Sequence, residues 1–477
     1  MEKETKKETV KPKKKFRFVM PSAYTVLLIL ILLVSLATIL IPDVKNASLA
    51  DVVMSPINGF VDAIDVAIFV IIIGGFLGVV AKTEALSAGI AKVVKKLKGK
   101  EMVMIPVLMF IFSLGGTTYG MAEETIAFYV LIVGTMMFAG FDSLTGAAII
   151  LLGAGVGVLG STINPFAIGA AVDALPKGIE VNQTIIIVLG TILWITSYLI
   201  ATAFVLEYAK RVKKRKEESL LSEIETKNAE KTFLKKGKDT EAPELTGKRK
   251  VVLGIFALGF VIMILSLLPW ADFGITIFDK STAWLFGIPF GQWYFLELAS
   301  WFVLLAIIIG IVYRLKEKEI ADSFIDGAND MIGVALVIAV SRGISVIMAT
   351  TGLGDYILTN AARALKGVNT VLFSGLSYVL YLGLSFLIPS TSGLAGASMP
   401  IMGGLANALK LSPEVMIMIF CSACGVVNLV TPTSAVVMGG LAVSRIEFST
   451  WIKFVWKVLL ALIVTNIVIL SIAMMVL

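Results

Sequence analysis

The sequence predicts an all-α polytopic membrane protein made of inverted repeats, with two re-entrant helical hairpins and two broken helices. Three observations predict it. Of 477 residues, 57% are hydrophobic and only 16% are charged, where a soluble domain carries about 25%. Many windows of about 20 residues are almost free of charge, long enough to cross a bilayer as a helix. And the chain repeats itself in register, with paired glycine and proline interruptions.

The counts also exclude. With no histidine anywhere, His-based triads, HExxH zinc motifs and histidine proton relays are removed. The two cysteines, Cys421 and Cys424, are too few for a disulfide framework and read as packing. The net charge of +7 comes from basic residues placed where membrane topology needs them, so no nucleic-acid partner is inferred. Gly155-Val156-Gly157-Val158-Leu159-Gly160 fits GxGxxG, but no strand or βαβ unit surrounds it, so it reads as close helix packing.

Taken in order, a basic cytoplasmic tail (1–20) precedes a retained first span at 21–41. Cytoplasmic loops collect Lys and Arg, which places the N-terminus inside. A full crossing near 60–81 returns to a basic loop with Lys92, Lys95, Lys96, Lys98 and Lys100. A hairpin at about 102–139, a broken span at about 142–175 and a span near 183–208 complete the first repeat (21–209). A charged segment at 210–250 reads as a flexible cytoplasmic linker. A connecting span and outside loop (251–290) invert the second half. The second repeat (291–477) holds spans near 291–313 and 328–350, a hairpin at about 368–408, a broken span at about 412–444 and a last span near 457–477, with the C-terminus outside. In this layout 34 of the 41 Lys and Arg are cytoplasmic; Lys45, Lys177, Lys280, Arg363, Lys366 and Lys410 are outside, and Arg342 is in the membrane.

The repeat is specific. Gly59, Asp62, Val66, Ala67, Gly75 and Thr83 recur at an offset of 268 as Gly327, Asp330, Val334, Ala335, Gly343 and Thr351. Thr118–Ala122 recurs as Thr391–Ala395 at 273, and Asn164-Pro165 as Thr431-Pro432 at 267. Inverted repeats with paired Gly/Pro interruptions point to a secondary transporter whose substrate site lies at the repeat interface near mid-membrane.

Four interruptions carry the chemistry. Thr117, Thr118, Tyr119 and Gly120 belong to the first; Ser161, Thr162 and Asn164 to the second; Ser390, Thr391, Ser392 and Gly393 to the third; Asn428, Thr431, Thr433 and Ser434 to the fourth. A helix broken in lipid frees backbone N–H and C=O groups that must find partners. The N-termini so created favour anions, while freed carbonyls, hydroxyls and amides suit a small cation or an ammonium group. Charges inside the membrane cost about 2.5–3.5 kcal/mol on insertion scales and default to functional candidates. Glu123 and Glu124 follow the first hairpin tip, with Gly396 and Ala397 as mates at offset 273; Arg342 is mid-span, with Gly74 as mate. We expect these to frame a ligand of both signs, an amino acid and preferably a basic one. Asp62, Asp65, Asp142, Asp173 and Asp330 read as loop or cap residues, Asp62 and Asp330 as a repeated structural cap.

The string Gly115–Thr125, the glycines Gly153, Gly155 and Gly157, Gly160–Phe166, Pro389–Gly393 and Thr431–Ser434 resemble the YfcC branch of the DcuC-type carriers, over nearly the whole chain apart from the tail and linker. The resemblance implies the ion transporter superfamily fold, a homodimer whose scaffold domains hold mobile transport domains that work by an elevator motion. It also implies carriage of basic amino acids, including arginine/ornithine exchange; relatives carry C4-dicarboxylates. In related sodium symporters, Ser-Asn-Thr tips bind sodium. Here the tips read Thr-Thr-Tyr and Ser-Thr-Ser, and a sodium ion is expected, if at all, near Thr118, Asn164, Thr391 and Thr433.

The expected protein is therefore a multi-pass carrier of the bacterial plasma membrane with no catalytic residue and no cofactor. Its partners are a small amino-acid substrate, the lipid bilayer and a second copy. The alternative is a Na+- or H+-coupled symporter of C4-dicarboxylates or other carboxylates that uses Arg342 as anion site. A channel needs a continuous polar stripe, and a receptor needs a soluble domain; neither pattern is present.

Overall fold

The computed structural model describes residues 23–86, 88–89, 92, 100–234, 244–267, 270 and 275–477, without the side chains of Ala23, Tyr119, Glu124, Ala127, Pro165, Leu267, Asp279, Lys280 and Val334. The basic tail at 1–20, most of the basic loop after Lys92 and the linker's centre lie outside the described residues. No strand occurs among those described.

The first half runs α1 (Ala23–Leu40), α2 (Leu49–Asp62), α3 (Ile64–Lys82), α4 (Glu101–Tyr119), α5 (Ile126–Phe138), α6 (Ser143–Leu159), a π turn (Pro165–Gly169), α7 (Ala170–Asp173) and α8 (Gln183–Lys214). The middle holds α9 (Glu223–Ala229), α10 (Gly247–Leu267) and α11 (Ile277–Ser281). The second half runs α12 (Phe295–Tyr313), α13 (Glu317–Thr351), α14 (Leu353–Leu365), α15 (Thr370–Leu387), α16 (Thr391–Ala408), α17 (Pro413–Val427), α18 (Ala435–Val443) and α19 (Phe448–Val476). Among the described residues, eight helices are long and apolar enough to cross a membrane: α3, α4, α8, α10, α12, α13, α15 and α19.

Local chemistry sets the helix starts. Ser48 and Asp51 form a capping box at α2, and Asp142, Asn182, Asn369, Ser390, Ser412 and Ser434 each accept a backbone N–H at a helix start. Such a cap contributes about 1 kcal/mol.

The two halves grip each other about a pseudo-two-fold axis. α13 spans the same register as α2 and α3 together, because Leu49 and Thr83 lie 268 before Glu317 and Thr351. Gly59 lies against the backbone of Arg342 and Gly343, and its mate Gly327 lies against Gly74, the mate of Arg342. The same exchange holds between helices: α1 packs on α13 as α12 packs on α3, and α4 packs on α6 and α8 as α15 packs on α17 and α19. A reciprocal contact of this kind is what a two-fold relation between repeats requires. Glycine lets the backbones approach this closely.

Both hairpins reverse direction. α4 runs parallel to α6, since Gly153 meets Met109 and Gly157 meets Ser113. α5 joins α6 through the short turn 139–142 and runs back along it, with Gly146 against Val133. The chain therefore reverses at 120–122. In the second half the Tyr381 hydroxyl donates to Ser398 Oγ (3.1 Å) across the reversal at 388–390.

Packing sorts the helices into two bodies. α1, α2, α3, α10, α12 and α13 form one; the hairpins, the interrupted helices α6 and α17, and α8 and α19 form the other. Contacts between them include α13 with α18 and α3 with α5, and α14, which touches both α13 and α16, links the two.

The crossing expected near 60–81 is α3, and a further helix, α2, precedes it and ends at Asp62. Two expectations need correction. The helix ends register Tyr119 with Leu387 and Glu123 with Thr391, at 268 rather than 273, so the mate of Glu123 is Thr391 and not Gly396. The segment read as a flexible linker is folded where described. α8 runs on to Lys214, and α9 docks through Glu225, which is 3% exposed. Glu225 accepts from the amide of Glu447 (2.8 Å) and the Thr450 hydroxyl (3.2 Å).

Candidate functional site

Both hairpin tips and both helix interruptions converge on one cavity of about 190 Å³. Gly120 to Glu123 come from the first tip, Pro389 to Ser392 from the second, Asn164 and Phe166 from the first interruption, and Asn428, Thr433 and Ser434 from the second. The other body closes the cavity with Ala63 and Val66 at the α2–α3 break, Tyr294 and Phe295 at the start of α12, and Ser341 and Arg342 in α13. The cavity thus lies between the two bodies.

The tips are pinned to the interruptions. Thr117 donates its hydroxyl to Gly160 O (2.7 Å), and its own carbonyl accepts from the amide (2.9 Å) and hydroxyl (3.0 Å) of Thr162. Asn164 donates to Ser161 Oγ (3.0 Å) and accepts from the amides of Phe166 (2.9 Å) and Ala167 (3.3 Å), capping the π turn. Gly120 ends α4 in the left-handed region, φ +81°. A Cβ there would lie 2.6 Å from Asn164 Oδ1, so only glycine fits both the turn and the contact. In the second half Asn428 donates to Thr391 Oγ1 (3.4 Å), Thr433 donates to Phe386 O (3.4 Å), and Thr431 and Thr433 share a hydroxyl contact of 2.6 Å.

These bonds separate the residues singled out by sequence. Gly120, Glu123, Asn164, Arg342, Ser390, Thr391, Ser392, Asn428, Thr433 and Ser434 reach the cavity. Thr117, Ser161, Thr162 and Thr431 are buried behind it and hold the interruptions in shape. Thr118 turns its hydroxyl back to Leu114 O (2.7 Å), and Gly393 supplies the amide that Ser390 caps. Tyr119 and Glu124 are placed by backbone alone, in the last turn of α4 and in the short 3-10 turn Glu123–Thr125.

The electrostatics are lopsided. Glu123 faces the cavity, and the charges of Arg342 and Asp65 both act on it. Arg342 is not a free cation: its Nε lies 3.5 Å from Asp62 Oδ2. Asp62, expected to be a repeated cap, ends α2 and serves instead as counter-ion to Arg342. On the opposite wall α16 and α18 present their N-termini, capped by Ser390 and Ser434; such ends favour negative charge. The cavity is therefore lined by a carboxylate and by two anion-favouring helix ends.

Sequence reasoning missed Tyr294, Phe295 and Ala63. The aromatic pair begins an apolar helix, where it reads as an interfacial anchor, and Ala63 carries no helix-breaking signal.

A helical bundle with two reversed hairpins and a polar cavity at paired helix interruptions defines a membrane transporter. The chain belongs to the DcuC family, C4-dicarboxylate anaerobic carrier, which it matches over residues 45–475. It is similar to an uncharacterized protein of Haemophilus influenzae (strain ATCC 51907 / DSM 11121 / KW20 / Rd), 30% identical over 411 residues, 86% of this chain and 75% of the relative. It is also similar to "Putative basic amino acid antiporter YfcC" of Escherichia coli (strain K12), 28% identical over 402 residues, 82% of this chain and 74% of the relative. Among solved structures, the YdaH transporter of Alcanivorax borkumensis is similar over 95% of this chain and 98% of its own, at 16% identity and a TM-score of 0.46.

Proposed function

We propose that this transporter exchanges cationic amino acids, arginine and ornithine foremost, across the bacterial plasma membrane by alternating access. The observation that carries the reading is the placement of charge: Glu123 faces the cavity while Arg342 is engaged by Asp62. The substrate's cationic end meets Glu123, and its α-carboxylate meets the helix ends at Ser390 and Ser434. The bodies on either side of the cavity suit an elevator motion, in which the hairpin body carries the substrate past the other. The carrier works as a homodimer with the N-terminus inside and the C-terminus outside, and exchange needs neither Na+ nor H+. The name of the Escherichia coli relative supports the substrate class.

A second reading has its own observation. Two helix N-termini on the cavity wall and the family's description favour a dicarboxylate, carried with Na+ or H+ and held by Arg342.

Counterflow in proteoliposomes separates the two. Vesicles are preloaded with unlabelled arginine and given labelled arginine, ornithine or succinate, with and without sodium. Accumulation of arginine and ornithine without sodium is expected; accumulation of succinate instead overturns the first reading in favour of the second.

A further inference from the structure

Glu123 is the one carboxylate among the described side chains that line the cavity. A carboxylate supplies negative charge but does not by itself tell a guanidinium from an ammonium. The wall beside it offers something that does. Phe166 and Tyr294 meet at the cavity with ring centroids 5.4 Å apart and planes inclined at 45°. They come from opposite bodies, Phe166 from the first interruption and Tyr294 from the start of α12. Each is held from behind. The amide of Phe166 donates to Asn164 Oδ1 (2.9 Å). Tyr294 leans on Phe295 at 4.5 Å, and Phe295 leans on Phe69 of α3 at 5.3 Å.

An aromatic face draws a cation within about 6 Å of its centroid. A guanidinium, planar and weakly hydrated, also stacks flat on a ring, which a compact, strongly hydrated ammonium does not. We propose that Phe166 and Tyr294 form the side-chain subsite of the carrier. It takes a planar, delocalised cation of the guanidinium class in preference to an ammonium on a side chain of similar length. This rests on the cationic amino acid reading above and deepens it: Glu123 sets the charge, and the ring pair sets the shape.

Counterflow KM and kcat for arginine and lysine are measured in the wild type, Phe166→Leu, Tyr294→Leu and the ring-preserving Phe166→Tyr, after each variant's thermal stability is checked in detergent. Phe166→Leu and Tyr294→Leu are each expected to raise the arginine KM about 3- to 30-fold and the lysine KM by much less, with Phe166→Tyr close to wild type. Equal loss for both substrates, a fall in kcat alone, or a Phe166→Tyr variant as poor as the leucine variant overturns the subsite. If the wild type shows no arginine counterflow, the substrate reading falls and the subsite with it. Wild-type counterflow with unaltered leucine variants removes the subsite alone.

Discussion

Arg342 and Asp62 stand 3.5 Å apart at the edge of the cavity, one from α13 and one from the end of α2. One turn before Asp62, Gly59 packs against the backbone of Arg342 itself, so the guanidinium and its counter-ion are held by the same helix crossing. Both belong to one body. Replacing Asp62 with Asn removes the counter-ion and leaves the cavity more positive. Partly exposed pairs of this kind are worth up to about 1 kcal/mol, so the arginine KM in counterflow is expected to rise roughly threefold, and succinate to become a better inhibitor. An unchanged KM and no gain in succinate inhibition would show that the pair does not set the cavity's charge.

Gly120 makes the first reversal possible. A Gly120→Ala variant must bear a positive φ and a methyl group against Asn164. Strain at such a position costs on the order of 1–2 kcal/mol. We expect a drop of several degrees in detergent Tm and at least a tenfold fall in transport, with the protein still inserted in the membrane.

Thr117 bonds the same tip to the first interruption from behind the cavity. Thr117→Val keeps the shape and loses the donor to Gly160 O. Hydrogen bonds between membrane helices are worth about 0.6 kcal/mol on average, so the stability loss is expected to be small. The effect should fall on turnover rather than on KM, because the residue shapes the tip without touching substrate. A selective rise in KM would place Thr117 in the cavity and contradict its assigned position.

Glu225 ties the middle segment to the start of α19. Glu225→Ala leaves the Glu447 amide and the Thr450 hydroxyl without that acceptor. A hydrogen bond to a charged group contributes about 1.5–3 kcal/mol, and local opening exposes a segment in proportion to the stabilisation lost. Trypsin is expected to cut after Lys227 and Lys231 at least tenfold faster in the variant. Equal rates would mean that the segment is open in the wild type as well.

The interruptions were legible in the sequence because a helix broken inside an apolar segment leaves a chemical trace: Gly120, Asn164-Pro165, Pro389 and Pro432 beside hydroxyl and amide side chains. The repeat was legible because Gly59 and Gly327 occupy equivalent close crossings, where any side chain would collide. The features that stayed hidden depend on contacts far apart in the chain. The α2–α3 break at Ala63 shows no proline or glycine of its own. The register of the first tip was misplaced by five residues, because Thr118–Ala122 looks like Thr391–Ala395 while the helix ends at Tyr119 and Leu387 follow packing. Glu225 sits in a charged stretch that reads as solvated, and only Glu447 and Thr450, more than 200 residues away, explain its burial. Asp62 reads as a cap until Arg342 is placed beside it.

The most direct measurement is arginine counterflow by Glu123→Gln, which keeps the side chain's size and removes its charge. If the cavity holds a cationic amino acid through this carboxylate, accumulation of labelled arginine collapses while the variant's detergent Tm stays near that of the wild type. Arginine counterflow at the wild-type KM and rate in that variant would contradict the assignment of Glu123 as the substrate's counter-charge.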